Sequence, residues 1–174
     1  MLSDDDLTIR IWIPGIPAPG GSKKGFAIPD KKRPGKYRAI LTEDSRRSKP
    51  WRQSVEWGAR EVFRDAPLQV AIAVIFKFFM PRPKSHYGKR GLRPSAPAMP
   101  TVKPDVTKLI RSTEDALKGI AWIDDSMIVD QHGRKVYGDR PGALITIRRA
   151  AADTADEYSS NESIIQQLGM RFLI

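Results

Sequence analysis

The chain of 174 residues contains no cysteine and only two histidines, His86 and His132. The first absence excludes a disulfide scaffold, a thiolate zinc site and a thiol nucleophile; the second excludes a multi-histidine metal centre. No apolar run approaches the ~18 residues of a membrane span, and the most apolar stretch, Val70 to Met80, is interrupted by Lys77. The start, Met1-Leu2-Ser3-Asp4-Asp5-Asp6, is acidic and lacks the basic head and apolar middle of a secretory signal. Acids are outnumbered, with 20 Asp and Glu against 30 Lys and Arg, a net charge of +10. Such an excess suits a polyanion. With no basic amphipathic helix in view, nucleic acid is expected over a membrane surface, in a cytoplasmic setting.

What is present is enough for one folded domain. The hydrophobic fraction is 40%, and the length leaves little room for two cores. The charge divides the chain: residues 150–174 carry −3 and residues 1–149 carry +13. We therefore expect a single domain over 1–149 and an acidic, flexible tail over 150–174, with a short helix within 162–168.

Thr8 to Ile13 alternates apolar Ile9, Ile11 and Ile13 with other residues, the period of a half-buried strand. A Pro/Gly cluster ends it. Residues 22–49 hold ten Lys/Arg against three acids and read as a basic loop, with a short ribbon at Tyr37 to Leu41. Trp51, Val55, Ala59, Val62 and Phe63 recur at helical spacing over 48–63, with Pro50 in the first turn, where proline is tolerated. Leu68 to Met80 reads as a central strand. Residues 81–103 form a second basic loop, with six Lys/Arg and no acid. The clearest helix is Asp105 to Leu117, where Val106, Leu109, Ile110, Thr113, Ala116 and Leu117 share one arc. Asp105 stands at its N-cap and Gly119 beyond its end. Short strands are expected over 120–123, 127–129 and 143–147. The order implies an α+β fold, two helices packed on one face of a mixed sheet.

The acids of this basic core are unevenly spread. Asp105 ends a basic loop, and Asp124 and Asp125 follow 19 and 20 residues later. A return strand over 120–123 would carry the pair back along the helix toward Asp105. Carboxylates gathered beside cationic loops need a neutralising cation. Oxygen donors suit Mg2+ or Mn2+, which would activate water and stabilise charge on a phosphodiester. The same residues also read simply as a helix cap and a turn. Lys108 and Arg111 read either as phosphate contacts or as ordinary helix-surface cations, and His132 either as a surface residue or as a general base.

The run Lys103-Pro104-Asp105-Val106-Thr107-Lys108-Leu109-Ile110-Arg111, then Asp115-Ala116-Leu117-Lys118-Gly119 and Asp124-Asp125-Ser126, resembles the signature of the RusA family of Holliday-junction resolvases. That family reads Lys-Pro-Asp-x-Asp-Asn-Leu-x-Lys, then Asp-Ala-Leu-x-Gly, then Asp-Asp before an apolar strand. Pro14 to Pro19 and Gly21-Ser22-Lys23 resemble the first strand and basic turn of phage-type members, and Lys135-Val136-Tyr137 with Pro141-Gly142 their last hairpin.

The resemblance implies a homodimeric, Mg2+-dependent endonuclease (Mn2+ as substitute) that nicks four-way or otherwise branched DNA junctions symmetrically. It implies catalytic roles for Asp105, Asp125 and Arg111. Metal ligation falls on Asp105, Asp125, Asp124 and Thr107, and DNA contact on Lys23, Lys24, Lys103, Lys108 and Lys135. Thr107 stands where the pattern has its second acid, and a neutral hydroxyl is a weaker ligand for a hard cation. A structure-selective DNA-binding protein without efficient cutting is the alternative. A Pro-Asp…(Asp/Glu)-x-Lys nuclease would need a lysine that Asp125-Ser126-Met127 lacks, and an RNA-binding protein would leave the acid pair unused.

Overall fold

The computed structural model describes residues 8–20, 23–43 and 46–150. The acidic tail and the helix expected within 162–168 lie outside the described residues. The elements are β1 (Thr8–Pro14), β2 (Lys23–Pro29), β3 (Tyr37–Glu43), α1 (Ser48–Val62), β4 (Ile72–Met80), β5 (Tyr87–Gly88), β6 (Gly91–Leu92), α2 (Val106–Leu117), β7 (Ile128–Tyr137) and β8 (Gly142–Arg149).

Four strands form a mixed sheet in the order β1-β8-β4-β7. β8 runs antiparallel to both β1 and β4, and β7 parallel to β4. The β4–α2–β7 segment is thus a parallel crossover, which needs an intervening helix. The alternation read at Ile9, Ile11 and Ile13 continues across the sheet. Ile11 pairs with Ile145, which pairs with Phe76, and Ile13 with Ala143, which pairs with Phe78. These side chains form the core with Trp51, Val55 and Ala59 of α1 and Leu109, Ala116 and Leu117 of α2. The helices meet through Trp51, whose indole N–H donates to Thr113 Oγ1 at 3.1 Å. They are tied again by Arg52 and Asp115 at 3.2 Å. The architecture is therefore α+β, two helices on one sheet face, as the periodicities imply. The opposite face carries neither helix and exposes Trp12 (43%) and Ile75 (36%).

Four local expectations change. The basic segment 22–49 holds a full ribbon, β2 paired with β3 over seven residue pairs, rather than a short one. Residues 120–123 form no return strand. Gly119, at φ +76°, reverses the chain, and its N–H bonds to the Trp122 carbonyl at 2.7 Å. Trp122 is fully buried, and its backbone makes only isolated bridges, to Leu68 and Lys118. The strand expected over 127–129 instead begins at Ile128 and runs to Tyr137. It lies at the sheet edge, so its polar residues meet solvent and weaken the apolar alternation. Finally, β7 and β8 do not pair as a hairpin, because β4 lies between them. Ser112 of α2 is buried beneath the loop at Gly20.

Candidate functional site

α2 is the axis of the site. Asp105 occupies its N-cap without a side-chain capping bond; the carboxylate turns instead to the Lys108 ammonium at 3.6 Å. At the other end, Lys118 follows the last helical residue. Its ammonium lies 2.5 Å from Asp124 Oδ2 and 3.7 Å from Asp125 Oδ2. The other oxygen of each carboxylate is held: Asp124 Oδ1 accepts the Ser126 N–H and Asp125 Oδ1 the Trp122 indole N–H, both at 3.0 Å. The buried indole thus orients Asp125, and the two Oδ2 atoms converge on one cation. The bond from Lys118 holds the Asp124 carboxyl down at about 2, from 3.8, with the Ser126 N–H assisting.

Asp105 stands at the start of α2 beside Lys108, and the acidic pair stands beside Lys118 at its end. The 12 residues of α2 rise ~18 Å at ~1.5 Å each. Among the described residues, no three Asp, Glu or His side chains gather closely enough to hold a metal by themselves.

Along the helix, Thr107, Arg111, Glu114 and Lys118 share one stripe at ~100° per residue. Thr107 and Arg111 are exposed. Glu114 is half-buried and joined to Gln131 of β7. Burial first, then the nearby charges of Asp125 and Asp115, raise its carboxyl above the ordinary 4.5, against a lowering by Gln131. The sequence pattern does not single out Glu114. Its position seven residues after Thr107 on the same stripe was the available signal. Asp115 is paired with Arg52.

The expected DNA contacts separate in the same way. Lys103 and Lys108 border a cleft at the α2 N-terminus. Lys135 donates to the carbonyls of Val102 and Pro104 at 2.7 and 2.8 Å, a bracing role. Lys23 and Lys24 lie in β2.

A family model described as Endodeoxyribonuclease RusA matches residues 27–148, a span running from β2 to the end of β8 and including all of α2. The chain belongs to the RusA endodeoxyribonuclease family. It is also similar to the uncharacterized protein YqaN of Bacillus subtilis (strain 168), 27% identical over 147 residues, 83% of this chain and 98% of that protein. Within this RusA-family chain no helix of the described residues is long and apolar enough to cross a membrane.

Proposed function

We propose that this RusA-family protein is a Mg2+-dependent endonuclease that nicks branched DNA, four-way junctions above all, as a homodimer in the cytoplasm. The observation that carries the placement of its centre is the convergence of Asp124 Oδ2 and Asp125 Oδ2 on the Lys118 ammonium. That ammonium marks where a cation is already favoured. Two carboxylates, with waters and a substrate phosphate, are a usual complement for Mg2+, so the donor set fits. Bound there, the ion would polarise a phosphodiester and lower the pKa of a water. Asp105 falls outside this pair.

The remaining roles belong to the α2 stripe. The guanidinium of Arg111 faces the phosphate chain and offsets its charge. Glu114, half-buried and held by Gln131, lies on the same stripe as Arg111. Lys103 and Lys108 grip phosphates at the other end of the helix, so affinity falls steeply with salt. A two-fold pair would set two centres on opposing strands.

The test is a labelled four-way junction incubated with Mg2+ or Mn2+. Paired nicks are expected, lost in Asp125→Asn while binding persists. Junction retarded but uncut across salt and pH would favour the binding-only reading, which Thr107 supports. Normal cutting by Asp125→Asn would refute the centre.

A further inference from the structure

β2 and β3 form a sheet of their own, apart from the four-stranded one. They pair over seven residue pairs, from Lys23 with Glu43 to Pro29 with Tyr37. Seven residues of strand reach ~23 Å at ~3.3 Å each. None of the described side chains from Gly25 to Ile40 is buried, and Phe26 (53% exposed) and Tyr37 (71%) stand in solvent. A two-stranded ribbon that buries no core face is marginal by itself in water, so it stands to gain from a partner that orders it.

The turn at its tip is braced from within. The Asp30 N–H bonds to the Lys36 carbonyl at 2.7 Å, the Arg33 N–H to the Asp30 carbonyl at 3.1 Å and the Lys36 N–H to the Arg33 carbonyl at 3.0 Å. Asp30 Oδ1 accepts the Lys32 N–H at 2.9 Å, and Gly35 takes the φ of +83° that closes the turn. Asp30 is the one acid from Gly25 to Ile40, against Lys31, Lys32, Arg33, Lys36 and Arg38. Its carboxylate is engaged in the turn, and all five cations are exposed. Cross-strand partners share a face, so Phe26, Ile28, Ile40 and Arg38 lie on one face, and Pro29 and Tyr37 on the other. Charge and rings therefore surround the end of the ribbon rather than line one side of it.

We propose that the tip of this ribbon enters the major groove of a duplex arm of the DNA, rather than the branch itself. The proposal rests on the reading of the protein as a nuclease of branched DNA and says which part of that substrate the ribbon holds. The major groove, ~12 Å wide and ~8.5 Å deep, admits a two-stranded ribbon, whose strands lie ~4.8 Å apart. A reach of ~23 Å exceeds that depth, so the tip sits between the groove walls while the base of the ribbon stays outside. Five cations less one acid give residues 25–40 a charge of +4, which answers the phosphates on both walls. A flat anionic surface would meet only one face of the ribbon. A second copy of this chain, itself at +10, would set like charges against the tip. Phosphate contacts fix position and carry no sequence information, so the arm is held whatever its sequence.

The experiment binds the full-length protein to a long-armed four-way junction without divalent ion and maps dimethyl sulfate methylation of guanine N7, an atom of the major groove. Expected is protection of N7 positions in the arms, lost in Lys32→Ala/Arg33→Ala while protection at the branch remains. Both residues bond within the turn through backbone groups, so alanine keeps the shape of the ribbon, which the amide NMR spectrum checks. The slope of log affinity against log salt should shrink by about 2 in that variant, about 1 for each phosphate contact. Arg60→Ala/Arg64→Ala, two exposed cations at the far end of α1, should leave footprint and slope unchanged. Unprotected N7 positions in the arms, or a footprint and slope that survive the tip substitutions, would overturn the proposal. So would a fall from dimer to monomer mass in the tip variant, because the ribbon would then hold a second copy. Tip-dependent protection of the arms without nicking once Mg2+ is added would overturn the nuclease reading and leave the ribbon standing. Paired nicks with a tip-independent footprint would do the reverse.

Discussion

Removing one carboxylate at each end of α2 separates two arrangements that the motif alone leaves indistinguishable. Asp125→Asn preserves shape and the indole contact at Oδ1 but neutralises an oxygen that faces Lys118. One of only two carboxylates is lost, and an amide oxygen is a poorer ligand for a hard divalent ion. Affinity for Mn2+ in the absence of DNA should fall at least about tenfold, roughly 1.4 kcal/mol. Asp105→Asn should change it less than about twofold, because the Asp105 carboxylate contacts Lys108 at the start of α2, not Lys118 at its end. Lys118→Met should act in the opposite direction and tighten Mn2+ binding several-fold, since the ammonium competes for the same oxygens. Electron paramagnetic resonance of free Mn2+ reads all three directly, with no dependence on cutting. Equal losses in Asp105→Asn and Asp125→Asn would refute the separation, and unchanged binding in Asp125→Asn would refute the centre itself.

Thr107→Asp adds a carboxylate in the first turn of α2, away from Lys118, and should leave Mg2+-dependent cutting of a four-way junction within about twofold; a large gain would move the centre to that end of the helix. The pH behaviour follows from Asp124, lowered to about 2 from 3.8 by the Lys118 bond first. A depressed carboxyl contributes stability that is present above 3.8 and lost as pH falls through about 2. Lys118→Ala should return the Asp124 midpoint toward 3.8 in a carboxyl-carbon NMR titration, and an unmoved midpoint would reject the pairing. Gly142→Ala should lower Tm by roughly 5–10 °C, for about 2–3 kcal/mol of overpacking, because its Cβ would lie 2.5 Å from the Ile13 carbonyl oxygen and 2.7 Å from the Trp12 ring. Gly88→Ala, whose nearest neighbour would be at 3.7 Å, is the control, and equal shifts by calorimetry would reject the packing argument.

Much of the molecule was legible from local pattern. The period of two at Ile9, Ile11 and Ile13 marks a strand because one face must be buried, and the arc of α2 marks a helix for the same reason. The basic charge and the Lys103–Arg111 run point to the nuclease family, and the match over 27–148 agrees. Strand partners are a different matter, because pairing is between residues far apart in sequence. Nothing local shows that β8 inserts between β1 and β4, or that β7 lies at the edge and therefore tolerates charge along its length. The decisive departure is at 120–123. Ile-Ala-Trp-Ile reads as a strand by composition, yet burial of Trp122 and the reversal at Gly119 wrap it around the end of α2. The aspartates were thus visible in the sequence as chemistry, while tertiary packing alone decided that Asp124 and Asp125 share a cation at one end of the helix and that Asp105 stands beside Lys108 at the other.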